Sequence, residues 1–281
     1  MAPPLVEPVP DEPAAIARLE VEAGSDDGEG ESEVKREEGD ERALLIADYH
    51  AGIEVGLRYE RGVDVPSRAA KRREHLLSIL ERTEPDRLIV LGDLMHSIGD
   101  PGGAERGELE VLFESLPPTL EVTLVKGNHD GDIESWLPDL EVVPGSGVRL
   151  GGVGVCHGHT WPAREVLEAD VICVGHEHPC VRLEDEVGGS RVERAWLRGP
   201  LARGGFAEHT SSSYEGVEWL EGERSPPTLV VCPAFNDLAG GTWINVAGQS
   251  FLAPFLPDGL ADGGGEAYLL DGTRLGPYET I

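Results

Sequence analysis

The chain has 281 residues, 40% of them hydrophobic, and carries a formal net charge of −30 with an isoelectric point near 4.5. That length allows a sizeable core, in one large α/β domain or two small ones, whereas the lack of any apolar stretch of about eighteen residues excludes a bilayer-spanning helix. The N-terminus is acidic and has no basic-then-apolar secretory pattern, and Cys156, Cys173, Cys180 and Cys232 show neither disulfide-framework nor C-x-x-C spacing, so they read as small core residues of a reducing, cytoplasmic protein.

Residues 1–13 are rich in proline and acid and predict a loose tail, which leaves 14–281 as a single folded domain. Ala14 to Glu22 alternates partly and predicts an edge strand. Residues 24–41 hold Gly, Ser, Asp and Glu with almost nothing apolar, so a disordered, solvated spacer dispensable for activity is expected. Ala43 to Ala47 is a continuous apolar run, the pattern of a strand covered on both faces, and it delivers Asp48-Tyr-His50. Behind Pro66 and Ser67, Ala69, Leu76, Leu77 and Leu80 recur at helical spacing and predict a helix over Arg68 to Arg82.

Leu88 to Leu91 predicts a second buried strand leading to Gly92-Asp93, and Glu105 to Leu116 a second helix. Val122 to Val125 is a third strand, ending at Gly127-Asn-His-Asp130. A short helix is expected from Asp132 to Leu137, closed by Pro138. Val148 to Cys156 reads as a hairpin running into His157-Gly-His159. Ala163 to Glu168 is a helical turn, and Val171 to Val174 another buried strand, delivering Gly175-His-Glu-His178. Val192 to Leu197, Thr228 to Cys232 and Tyr268 to Arg274, with a turn at Asp271-Gly272, read as β, and 204–224 as a long polar loop. Strands alternating with helices, then strands alone, with no repeat and no second boundary, indicate one α/β domain with two stacked sheets.

The strand ends collect Asp48, His50, Asp93, Asn128, His129, His157, His159, His176 and His178, most of the nine histidines in the chain. Ligands in α/β sheets gather outside the carboxyl ends of strands. Oxygen and imidazole donors without thiolate suit Mn, Fe or Zn, and the donors are too many for one tetrahedral ion, so two ions sharing a carboxylate fit better.

Asp48-x-His50, Gly92-Asp93, Gly127-Asn-His-Asp130, His157-Gly-His159 and Gly175-His-x-His178 stand in the order of the five sequence blocks of the calcineurin-like metallophosphoesterases, and over residues 43–180 the chain resembles that superfamily. Ala47-Asp-Tyr-His-Ala-Gly-Ile-Glu54, Gly175-His-Glu-His-Pro179 and Pro233-Ala-Phe-Asn236 with Gly240-Gly241 and Asn245 look like the archaeal SbcD-related phosphoesterases, a subgroup similar to the bacterial DNA-ligase-associated phosphoesterases. Abundant Asp and Glu, with lysine only at 35, 71 and 126, is similar to cytosolic proteins of salt-accumulating archaea.

The resemblance implies a four-layer αββα sandwich of two mixed β-sheets flanked by helices. It implies two divalent ions, Mn first and Fe or Zn as alternatives, one held by Asp48, His50, Asp93 and His178, the other by Asp93, Asn128, His157 and His176, with Asp93 bridging. It makes His129 the general acid and a water or hydroxide between the metals the nucleophile. Two adjacent cations can neutralise a phosphate and activate water, and a histidine has a pKa suited to protonating a leaving oxygen.

Other residues carry two readings each. His159 contacts substrate or supports the ligands from behind. His96 lines the pocket or is structural, His75 and His209 are solvated, and Asp130 orients His129 or caps the short helix after it. Glu177 faces outward. Trp161 and Arg164 meet substrate, or Trp161 covers the core.

The expected function is a dinuclear phosphoesterase, a phosphodiesterase or nuclease acting on DNA or RNA. Without a basic stripe or alternating aromatic and basic residues, a small-molecule or cyclic-nucleotide phosphodiesterase is the alternative. A silent scaffold of this fold ought to have lost ligands, and every motif position is filled.

Overall fold

The computed structural model describes residues 4–20, 41–99, 102–185, 187–206 and 213–281. In chain order the strands are β1 Val6–Pro8, β2 Ala14–Leu19, β3 Glu41–Ile46, β4 Arg87–Val90, β5 Glu121–Val125, β6 Glu141–Val143, β7 Val148–Leu150, β8 Val153–Cys156, β9 Val171–Val174, β10 Cys180–Glu184, β11 Ser190–Pro200, β12 Thr228–Val231, β13 Glu266–Leu269 and β14 Arg274–Pro277. The helices are α1 Ile53–Arg61, α2 Ala69–Thr83, α3 Gly103–Ser115, α4 Arg164–Leu167 and α5 Glu218–Glu221.

Two mixed sheets form. The first has the order β1-β2-β3-β4-β5-β6, the second β14-β13-β11-β12-β9-β8-β7, with β10 hairpinned onto β11. Each has a parallel part: β3 to β6 in the first, with antiparallel strands on the β3 side only, and β8, β9 and β12 in the second, with antiparallel strands on both sides. Except for the edge strand β6, the parallel strands overlap the apolar runs picked out in the sequence, because both of their faces are covered.

Side chains of successive strand residues point to opposite faces, and each strand therefore feeds two layers. Ala43, Leu45, Ile89 and Val125 meet Val153, Val155, Cys173 and Val230 between the sheets. Leu44, Ile46, Leu88, Val90 and Leu124 turn outward onto Leu76, Ile79 and Leu80 of α2 and Leu109 and Leu112 of α3. On the far side Ile172, Val174, Leu229 and Val231 pack against Val166, Leu167, Trp219, Phe206 and Phe255. Each fully buried Leu or Ile contributes about 1.5–3 kcal/mol, which holds strands of four residues in place. The αββα layering expected from the sequence is present, although its second outer layer is built from the short α4 and α5 and irregular chain rather than long helices.

Three expectations need correction. The tail expected over 1–13 contains β1, which pairs with β2 and makes β2 an interior strand instead of an edge; its prolines suit an edge, where the missing N–H costs no ladder bond. The 204–224 stretch is not merely polar loop, since Phe206, Tyr214, Val217 and Trp219 are buried and Trp219 Nε1 donates to Leu167 O at 2.8 Å. The helix α1 and the strands β6 and β10 were not anticipated. The acidic spacer, apart from Glu41 in β3, and His209 lie outside the described residues. All four cysteines are buried free thiols. Among the described residues no helix is long and apolar enough to cross a membrane.

The helices on the first sheet are pinned beneath the Asp48–His50 turn. The buried Arg72 of α2 donates to Glu108 of α3 at 2.8 and 2.9 Å and to Glu54 of α1 at 3.3 Å. Glu108 also accepts the Gly52 N–H at 2.9 Å, at the start of α1. Paired and hydrogen-bonded buried charges of this kind are costly to break singly, so α1, α2 and α3 hold the turn as a unit.

Candidate metal centre

The carboxyl ends of β3, β4 and β5 in one sheet and of β8 and β9 in the other open onto a common space. Asp48, His50, Asp93, His176 and His178 all have left-handed backbone, with φ of 56°, 48°, 50°, 67° and 45°. Such φ in residues other than glycine is disfavoured by roughly 1 kcal/mol or more and gathers at functional sites. The tight turns aim side chains inward at the very ends of the strands. Gly127 permits a close approach, because a Cβ there would lie 2.2 Å from both the N and Oδ1 of Asp93.

Asp48, His50 and His178 bring one donor atom each within 4.8 Å of one another, and Asp93, His157 and His176 do the same. In the first group His178 Nε2 is 3.2 Å from Asp48 Oδ1 and 3.4 Å from His50 Nε2. In the second His157 Nε2 is 3.4 Å from Asp93 Oδ1 and 3.1 Å from Asn128 Oδ1. Asp93 faces both, with Oδ2 3.9 Å from His50 Nε2. Donors bonded to a common ion at about 2.1 Å lie roughly 3.0–3.4 Å apart at octahedral or tetrahedral angles, the spacing seen here.

The tautomers agree with that use. Nδ1–H of His157 donates to Leu91 O at 2.7 Å, that of His178 to Gly240 O at 2.7 Å and that of His50 to Met95 O at 3.3 Å. A carbonyl can only accept, so Nδ1 carries a hydrogen in each ring and the neutral form turns the lone pair of Nε2 inward. Two such lone pairs at 3.4 Å, His50 against His178, oppose each other unless a proton or a cation lies between.

Electrostatics presets the donors. Burial disfavours charge on His50, and His178 pushes the same way, bringing it to about 3; burial and then His157 bring His176 to about 4. Both rings are neutral near neutrality, the form in which an imidazole can hold a cation. Burial opposes ionisation of Asp93, yet the hydrogen bond and charge of His157 outweigh it and hold the carboxyl below its usual range. Against its own burial, His157 is lifted by Asp93 to about 9. A cation held between that pair would displace the His157 proton, which would link binding to pH.

His129 stands at the edge of this space. Its N–H donates to Asp93 Oδ1 at 2.9 Å, its Nδ1 meets His96 O, and Nε2 faces Asp93 Oδ2 at 3.9 Å. His159 lies beside the second group, ring centroids 5.2 Å from His157 and 6.1 Å from His176, and its buried Nδ1 makes no hydrogen bond among the described residues. His96 lines the site: it stacks on His129 at 5.8 Å and meets His50 edge-on at 5.2 Å. Asp48, His50, Asp93 and His157 form a buried floor; Asn128 is exposed and His129, His159, His176 and His178 are partly exposed at the rim.

Several neighbours take roles other than those expected. Asp130 neither orients His129 nor caps a helix; buried, it accepts the N–H of Gly127 at 2.7 Å, Asp93 at 2.9 Å and Met95 at 3.1 Å, tying two strand ends together. Glu177 points inward, accepting from Thr242 Oγ1, Leu252 N and Ala253 N. His75 pairs with Glu12 and stacks on Phe235. Trp161 packs on Phe206 and Phe255, and Arg164 pairs with Glu168. Asn236, quoted above only as part of a resemblance, is buried with its amide on the carbonyls of Tyr49 and His50. A buried tie from distant chain leaves no local signal.

Residues 41–180 match the calcineurin-like phosphoesterase family. The fold is similar to that of the nuclease MPE of Pseudomonas putida, at 20% identity and a TM-score of 0.50 over 83% of this chain and 87% of that one. It is also similar to the phosphoesterase Yfce of Escherichia coli, at 18% identity and a TM-score of 0.33 over 51% and 73%. None of the curated proteins compared with it matches.

Proposed function

Since the chain belongs to the calcineurin-like phosphoesterase family and is a metal-dependent hydrolase of phosphate esters, we propose that it cleaves phosphodiesters of nucleic acid at a centre for two divalent cations. The observation that carries the two-cation reading is Asp93, which turns one carboxylate oxygen to each donor group. One seat is Asp48, His50, Asp93 and His178; the other is Asp93, Asn128, His157 and His176. The all-oxygen-and-imidazole donor set suits Mn, with Fe and Zn next. Bound there, two cations supply neutralisation of phosphate charge and activation of water.

The chain's own groups do the remainder. The left-handed turns hold the donors before substrate arrives, so little reorganisation is left to the reaction. His129, with Nδ1 engaged by the His96 carbonyl, presents Nε2 to the leaving oxygen as general acid. His159, on the opposite side of the second seat, contacts a phosphate oxygen of the substrate.

The choice of nucleic acid rests on the SbcD-like motifs and on the Pseudomonas fold neighbour being a nuclease. One observation favours a second reading, a small or cyclic-nucleotide phosphodiester: Arg58 is tied to Asp64, Arg68 to Asp237 and Lys126 to Glu134, leaving those cations committed to carboxylates. We also place the protein in a cytoplasm rich in salt, where its charge of −30 is screened.

The test is chelator-stripped protein given Mn²⁺, Fe²⁺ or Zn²⁺ in graded KCl. Substrates are bis-nitrophenyl phosphate, nitrophenyl phosphate, single- and double-stranded DNA, RNA and cyclic nucleotides. Turnover should return with Mn²⁺ and extend to DNA or RNA. Raising KCl should lower KM for DNA, the reverse of ordinary counterion release, because here salt relieves repulsion between two polyanions. Cleavage confined to cyclic or small diesters selects the second reading. Two bound metals with no hydrolysis of any ester sinks both.

A further inference from the structure

The calcineurin-like match ends at residue 180, yet the first donor group is braced by chain well beyond it. After β12 the backbone returns past the Asp48–His50 turn, bridging Ala47 to Ala234. Phe235 N donates to Ala47 O at 2.7 Å and Asn236 N to Asp48 O at 3.3 Å. The Asn236 amide then donates to Tyr49 O at 2.9 Å and His50 O at 3.2 Å, while its own oxygen accepts Leu238 N–H at 3.0 Å. One residue, 1% exposed, thus takes the three successive carbonyls of a turn whose two ligand residues both have left-handed backbone. The segment is itself fixed: Arg194 donates to Ala234 O and Phe235 O at 2.9 and 3.1 Å, and Phe235 stacks on Tyr49 at 5.7 Å. Four residues on, Gly240 O accepts the His178 Nδ1–H, and a Cβ on Gly241 would lie 2.1 Å from His178 O.

Asp48, His50 and His178, the residues of one seat that the other does not share, are therefore all braced by residues 234–241. The second seat is braced mainly by other means. His157 rests on Leu91 O, Asp93 N on Asp130, and His129 N on Asp93.

We propose that Asn236 is a positioning residue for the first seat, and that the segment around it sets the cation affinity of that seat in preference to the second. The inference rests on the two-cation reading above. Losing the amide leaves the Tyr49 carbonyl without its donor and the His50 carbonyl with only the Ile53 N–H at 3.3 Å, releasing the turn toward commoner backbone angles and carrying Asp48 and His50 apart. Partners that orient ligands in this way are typically worth about 10–100-fold in metal affinity.

The experiment is Mn²⁺ titration of chelator-stripped full-length protein by calorimetry and electron paramagnetic resonance, comparing native chain with Asn236→Leu and Gly241→Ala. Native protein should bind two ions and give an exchange-coupled pair. Asn236→Leu should weaken one site about 10–100-fold and the other less than threefold, with a mononuclear signal at limiting Mn²⁺. Anomalous diffraction at that loading should place the retained ion among Asp93, Asn128, His157 and His176. Gly241→Ala, which presses on His178 from the other side, should weaken the same site, and it decides the matter if Asn236→Leu does not fold. A merely structural role would lower both affinities together, and that result, or unchanged affinities, overturns the inference alone. Native protein that binds one Mn²⁺ or none overturns the two-cation reading and this inference with it.

Discussion

Asp93→Asn is expected to empty the centre of metal and to lower turnover on every ester by at least about 10³-fold. The estimate follows from position. Even partners that only orient a ligand cost about 10–100-fold in metal affinity each, and Asp93 is itself offered to both seats at once. It is held ionised by His157, so the substitution removes a full negative charge from between two cations, and it replaces one oxygen by an NH₂ that repels them. The fold has little reason to suffer. Asn keeps an oxygen to accept the His129 N–H, and the backbone N–H of residue 93 still reaches Asp130. Elemental analysis after gel filtration, alongside turnover of bis-nitrophenyl phosphate, checks both halves. Native metal content with turnover within tenfold of native would remove Asp93 from the role of bridge.

His129→Asn should give the opposite signature, full metal content with a loss that depends on the leaving group. A nitrophenolate departs unaided, whereas a sugar alkoxide needs a proton in the transition state. Assistance of that kind is worth about 10²–10⁴-fold, so DNA or a dinucleotide should lose that much and a nitrophenyl diester far less. The geometry supports selective loss. His129 reaches the centre through Nε2, 3.9 Å from Asp93 Oδ2, while its Nδ1 is committed to the His96 carbonyl, so it can serve a proton without serving as a ligand. Measuring kcat on both esters, with metal content, separates the cases. An equal drop on both with normal metal would make His129 an electrostatic clamp on phosphate oxygens and not an acid.

How far such a centre can be read before folding depends on where its parts lie along the chain. The placement of Asp48, His50, Asp93, Asn128, His157, His176 and His178 at strand ends was readable because each follows a short apolar run, and burial on both faces makes those runs conspicuous. The sandwich followed from the same runs. The edges were less readable. Val6–Pro8 hides in a proline-rich stretch, and α1 buries only Ile53 and Glu54 while Val55 and Tyr59 face solvent, so its apolar residues do not mark its buried face. The ties that shape the site were not readable at all. Glu177 looks outward-facing between two histidines until Thr242, Leu252 and Ala253 fold over it. Asn236 is an ordinary loop asparagine until the carbonyls of Tyr49 and His50 arrive, 187 and 186 positions away in sequence. Left-handed backbone at five acidic or imidazole residues has no propensity signal of its own, since the surroundings impose it.

Each donor group draws on both sheets: Asp48, His50, Asp93 and Asn128 follow strands of the first, and His157, His176 and His178 follow strands of the second. Neither sheet alone offers a complete seat. A chain emerging from synthesis can gather oxygen donors early but meets the imidazoles that finish each seat only after the second sheet has formed and closed against the first. Cations held at the two seats would therefore be bound fully only by chains whose sheets have closed. Bound there, they would act as rivets across the sheet interface, favouring the closed molecule in proportion to their occupancy. The metal supply of the surroundings would then set how long the sandwich stays shut as well as how fast it works.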